Sequence, residues 1–235
     1  MLCAMVTATP HAGPAASVTA DPSSHRAADS PRQVEGTDPA RPRVTHLLYL
    51  HGFRSSPRST KAQIMAQRLA AQHPRVTWCC PQLPPSPAAA WTLIERSVAD
   101  WPRERMGVVG SSLGGYYATR LAALTGCRAV LLNPAVDPAR DLARYIGEHT
   151  AWHDPSERFF FRPEYVDELR ALAVGPLPYP ERVLLVAATG DEVLDWREMV
   201  ARYPGSVQRI VPGSDHALSD FVDHLEAILA HLQLA

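Results

Sequence analysis

A sheet of mostly parallel strands flanked by helices is the architecture this sequence predicts, and three observations predict it. Short runs rich in leucine and β-branched residues recur along the chain. Stretches with helical apolar spacing separate them, so strand, helix and strand alternate as βαβ units do. The runs are apolar almost throughout instead of alternating with polar residues, as expected of strands covered on both faces. They are 44–50, 76–80, Met106–Ser111, 129–133, Val183–Ala188 and Val207–Val211.

The elements follow in order. Residues 1–43 are dominated by Ala, Pro, Ser, Thr and Asp without apolar periodicity, which predicts a disordered tail and a folded domain that begins at Val44. Helix 61–72 follows the first strand, and the next helix is opened by Ser86 as N-cap with Pro87 as its first residue. A third begins just after Ser112. Helix Trp196–Arg202 is preceded by Asp195 and carries Glu198, the arrangement of a capping box. The last helix spans about 220–232, where His224 and His231 suit the surface. The connection 137–181 is longer than one crossover helix needs, and it is expected to form a small cap over the site.

Composition excludes several classes. A chain of 235 residues with 46% hydrophobic and 20% charged residues suits one globular domain. Lys and Arg number 23 against 24 for Asp and Glu, so no general attraction to nucleic acid or anionic lipid is expected. Lys61 is the single lysine. The four cysteines (Cys3, Cys79, Cys80 and Cys127) include no C-x-x-C pair, which predicts reduced thiols and a cytoplasmic location. Adjacent Cys79 and Cys80 in a strand face opposite sides. The start lacks a basic region followed by an apolar run, so no signal peptide is expected, and no apolar run reaches membrane-spanning length.

Chemistry concentrates in Gly110-Ser111-Ser112-Leu113-Gly114, a G-x-S-x-G that joins a predicted strand to a predicted helix. Such a turn strains the serine backbone and needs residues without bulk on both sides, which Gly110 and Gly114 provide, while Gly115 lets the helix start close to the sheet. Ser112 is therefore the candidate nucleophile. A hydroxyl needs a base and a carboxylate that orients it, in the order Ser, acid, His. His216 stands just past strand Val207–Val211, and Asp191 just past strand Val183–Ala188; Glu192 and Asp195 compete, but Asp195 already serves as a helix cap. Oxyanion donors are expected from the backbone N–H groups of Leu113, at the helix start, and Phe53, in the loop after the first strand. His51 in that loop is a rival base or, more simply, a structural residue. Arg54, Arg58 and Lys61 are either solvated surface charge or attract an anionic substrate group. In the cap, Trp152, Phe159, Phe160 and Phe161 form either local packing or an apolar wall for an acyl group. His149 and His153 have i, i+4 spacing but no glutamate between them, which argues against a metal site.

The stretches LLYLHGFRSSPRSTKA, PQLPPSP, GVVGSSLGGYYATRLA, NPAV, TGDEVLD and GSDHA resemble the YqiA-type esterases, a family of small bacterial α/β-hydrolases. The resemblance covers about 44–232. It implies an α/β-hydrolase fold with carboxylesterase activity, extending to acyl thioesters, and Ser112, Asp191 and His216 in the triad positions. The expected reaction is acyl-enzyme hydrolysis of a small-molecule ester, without metal or organic cofactor. The same three residues serve acyl transfer or peptide cleavage, and a non-catalytic binding protein on this scaffold is the alternative from another class.

Overall fold

The computed structural model describes residues 42–151, 154, 156 and 158–235. Nearly all of the expected tail, together with Trp152 and His153, lies outside the described residues. Six strands form one sheet: β1 (His46–Leu50), β2 (Thr77–Cys79), β3 (Met106–Ser111), β4 (Arg128–Leu132), β7 (Val183–Ala188) and β8 (Val207–Val211). Their spatial order is β2-β1-β3-β4-β7-β8, and every pairing is parallel. Between β4 and β7 the chain forms a separate antiparallel hairpin, β5 (Gly147–Thr150) with β6 (Arg158–Phe161). Val44 extends the sheet by bridging to Leu234, and its N–H donates to the Gln233 carbonyl at 3.0 Å, so the two ends of the folded part close on each other.

Two apolar layers hold the helices to the sheet, because successive residues of a strand face opposite sides. Leu48 and Leu50 of β1 face α2 (Pro87–Ser97) and α3 (Leu113–Thr125); Leu47 and Tyr49 face α1 (Thr60–Gln72) and α7 (Phe221–Leu232). Cys79 and Cys80 divide between the two layers in the same way. The edge strand β8 departs from the expectation of double cover: Gln208, Arg209 and Ile210 are exposed, because β8 has only one neighbour and little helix over it. His224 is also a correction. It is buried, where it accepts from Arg209 Nε at 3.2 Å and sits 3.2 Å from Asp220, because the polar side chains of β8 fold onto α7.

Caps follow the expected chemistry with one change. Ser86 accepts from Ala89 N–H at 3.2 Å, and Asp195 accepts from Arg197 N–H at 2.9 Å at the start of α6 (Trp196–Arg202). Glu198 does not complete a capping box; it is drawn away by a two-pronged contact with Arg140, which stands in α4 (Pro138–Leu142). After a short helix α5 (Glu164–Ala171), the cap connection returns to β7. No helix of the described residues is long and apolar enough to cross a membrane.

Strand order decides where a site can form. α1 packs on one face of the sheet and α3 on the other, so the loops that leave β1 and β3 diverge and open a crevice at the carboxyl ends of these neighbouring strands.

Candidate active site

The crevice is centred on Ser112. Its φ of 55° and ψ of −121° put a residue with a side chain in a left-handed, strained conformation at the junction of β3 and α3. The glycines explain why this turn needs its motif: a Cβ on Gly110 would lie 2.3 Å from the Gly114 carbonyl oxygen, and one on Gly114 would lie 1.9 Å from the Leu50 carbonyl oxygen. Neither approach is possible with a side chain. The helix thus starts against both β1 and β3, and the Ser112 hydroxyl is lifted above the sheet edge.

Two further loops converge on it. His216, in the turn after β8, lies with Nε2 3.1 Å from Ser112 Oγ and Nδ1 2.8 Å from Asp191 Oδ2. The Asp191 carboxylate is fully buried, and its other oxygen accepts from the N–H groups of Val193 and Leu194 at 2.9 and 2.8 Å. This geometry separates the competing carboxylates. Asp195 caps α6, Glu192 accepts from the backbone N–H of His216 at 3.0 Å, and Asp215 accepts from Ser219. The Ser219 contacts hold the Asp215 carboxyl below its ordinary range.

The loop after β1 packs directly on the serine, with the Gly52 Cβ position 3.1 Å from Ser112 Cβ. His51 is buried; its Nε2 accepts from the Leu83 N–H at 3.1 Å, which places its proton on Nδ1 beside the Gly52 carbonyl oxygen at 3.0 Å. With Nε2 occupied in this way, His51 braces the loop and does not compete with His216. Phe53 and Leu113 line the same cavity as Ser112 and His216, a space of about 450 Å³. Leu113 opens α3, so its N–H has no partner carbonyl within its own helix. α4 and the turn behind it cover the cavity with Pro138, Leu142 and Tyr145.

The expected aromatic wall is corrected. Phe160 is 54% exposed, Phe161 is fully buried in the core, and neither lines the cavity. Phe159 reaches a smaller neighbouring pocket of about 130 Å³ and stacks edge-on against Phe53. The reason is the pleat: in β6 consecutive side chains alternate in direction, so three adjacent phenylalanines cannot share one wall. His149 packs among Phe53, Tyr145 and Phe159, and the described residues contain no cluster of three His, Cys, Asp or Glu suited to a metal ion.

Asn133 was not singled out from sequence. Fully buried at the end of β4 with φ of 41°, it donates through Nδ2 to the carbonyls of Asp215 and His216 at 3.0 and 3.1 Å and accepts through Oδ1 from Ala188 N–H at 2.8 Å. One side chain thereby ties the loop of His216 to the strand that leads to Asp191. The available signal was a single polar residue closing an apolar strand. Asn133→Ala is expected to leave the Ala188 N–H buried without a partner and to place alanine at positive φ, a loss of several kcal/mol by denaturant titration. It should also lower kcat about ten-fold or more, since the His216 loop loses two anchors; unchanged kcat would show that the anchors are redundant.

The model of the uncharacterised protein family UPF0227 matches residues 46–233. The chain belongs to that family. UPF0227 is the YqiA-type group that the sequence resembles, and its fold here is the α/β-hydrolase fold. Solved structures with this arrangement include a protein of Agrobacterium vitis S4 provisionally named a hydrolase (20% identity, TM-score 0.66, covering 81% of this chain and 91% of that one). Mouse alpha/beta hydrolase domain-containing protein 10 matches at 14% identity and TM-score 0.61 over 80% and 90% of the two chains. The Pyrococcus furiosus esterase Pf2001 matches at 14% and 0.51 over 81% and 80%. At these identities the likeness is one of fold.

Proposed function

We propose that this UPF0227 protein is a serine esterase that hydrolyses small carboxylic esters, thioesters among them, through an acyl-enzyme. The observation that carries the reading is the unbroken hydrogen-bonded chain from Ser112 through His216 to Asp191 at the floor of a cavity. His216 Nε2 takes the Ser112 proton as Oγ attacks the ester carbonyl, and the Asp191 carboxylate holds the imidazole so that Nδ1 carries its proton and stabilises the imidazolium. The N–H groups of Leu113 and Phe53 receive the oxyanion. His216 then protonates the leaving alcohol, activates water and releases the acid. The nomination of Pf2001 as an esterase on the same fold agrees with this reading.

The test is labelling with a fluorophosphonate followed by steady-state assays on 4-nitrophenyl esters and acyl thioesters of graded chain length. A single adduct on Ser112 and measurable turnover are expected. Each methylene that fits beneath Leu142 and Tyr145 adds up to about 0.8 kcal/mol, so neighbouring chain lengths should differ only several-fold. No adduct on folded protein, or an adduct elsewhere, would overturn the reading.

A further inference from the structure

The loop that carries Phe53 is built around a strained turn. The Ser55 N–H donates to the Gly52 carbonyl at 3.2 Å, and Arg54, third in that turn, has a φ of 61°. Glycine and asparagine adopt this left-handed backbone readily, whereas a long side chain there costs free energy. An arginine in this place needs a compensating contact, and its guanidinium makes one. Nε donates to the Thr150 carbonyl at 2.7 Å, and Nη2 donates to Thr150 Oγ1 at 3.2 Å. Thr150 is the last residue of β5, so the turn is tied to the cap hairpin by a residue 96 positions away in the chain.

The side chain of Phe53 is held by the same part of the cap. Its ring centre lies 5.4 to 6.0 Å from those of Tyr145, His149, Phe159 and Phe161, edge-on to the last three. Phe161 is buried in the core, and it anchors the hairpin, whose two strands pair only with each other among the described residues. Elsewhere the turn is loosely backed. His51 pins the start of the loop to Leu83, but Phe53, Arg54 and Ser55 border the second space of about 130 Å³ beside Leu83 and Pro84, so packing alone leaves them room to shift. An oxyanion donor acts only at hydrogen-bond distance, and a displacement of about 1 Å is enough to cost about a hundred-fold in rate.

We propose that the cap hairpin positions the oxyanion donor: Arg54, through its two contacts with Thr150, holds the turn that aims the Phe53 N–H at the ester carbonyl oxygen. Arg54 is thus a positioning residue, and this role rests on the esterase reading above. The contact bears on the transition state, because the carbonyl oxygen gains its negative charge there and the bound ester needs the donor much less.

The experiment replaces Arg54 with Asn, which keeps a left-handed turn but cannot reach Thr150, and with Lys, whose ammonium can reach the Thr150 carbonyl. For 4-nitrophenyl butyrate, kcat is expressed per fluorophosphonate-labelled site. KM and the inhibition constant of a trifluoromethyl ketone with the same acyl chain are measured alongside. Ser112 Oγ adds to the carbonyl carbon of that ketone and leaves its oxygen where the substrate oxyanion forms. Arg54→Asn is expected to lower kcat about ten- to a hundred-fold with KM nearly unchanged, and to weaken the ketone by the same factor. Arg54→Lys should recover part of both losses. An Arg54→Asn kcat within about three-fold of native, a loss carried by KM, or a kcat loss without weaker ketone binding would overturn the proposal. So would a deficit that disappears when turnover is divided by labelled sites, or a lysine variant as impaired as the asparagine, since Arg54 would then only support the fold. Each of these outcomes, in a native protein that is labelled and hydrolyses the ester, leaves the esterase reading standing; a native protein that does neither removes both.

Discussion

Ser112→Ala is expected to abolish fluorophosphonate labelling and to lower ester turnover at least about a thousand-fold, with little change in melting temperature. The hydroxyl is the atom 3.1 Å from His216 Nε2, and no other hydroxyl is held against that nitrogen among the described contacts. The backbone strain at φ 55° belongs to the turn and is the same for serine and alanine, so removing Oγ takes away a reactive group without disturbing the fold. Kinetics and thermal melts on the same preparation check both halves. Turnover within ten-fold of the native protein would remove Ser112 from the mechanism.

Asp191→Asn should cost up to about ten-thousand-fold in kcat while the fold persists. The geometry says why so small a change does so much. Asp191 Oδ1 is pinned by the N–H groups of Val193 and Leu194, so an asparagine keeps its carbonyl oxygen there and must turn its NH2 toward His216. An NH2 donates to Nδ1, which forces the imidazole proton onto Nε2, where it faces Ser112 and cannot accept the hydroxyl proton. Asp195→Ala removes only the cap of α6 and should cost about 1 kcal/mol of stability with kcat nearly intact. Measuring kcat and denaturant midpoints for both variants separates the two carboxylates, and a severe kcat loss at Asp195 with none at Asp191 would reverse their roles.

The strands were legible because each is a short apolar run between clear punctuation, and the runs at Met106–Ser111, Val183–Ala188 and Val207–Val211 end where the strands end. Ser112 was legible because its turn requires glycine at 110 and 114, a local demand written into five consecutive residues. The aromatic run 159–161 leaves local packing and one apolar wall open in sequence, and pairing of β6 with β5 decides against a shared wall, because its period of two sends Phe160 out and Phe161 in. His224 misled for a related reason, since helical position alone does not say that α7 turns that residue under the polar face of β8.

What the sequence determined by itself is therefore whatever depends on neighbours in the chain: the alternation of elements, the elbow, the caps at Ser86 and Asp195, and the order Ser, acid, His. Only the tertiary structure decided which of three nearby carboxylates meets His216, and that Asn133 bolts two loops together. The physical reason is distance along the chain. A turn or cap is satisfied by groups a few residues away, whereas each of these contacts joins segments from different strand ends, and strand order sets which of those ends lie side by side at the crevice.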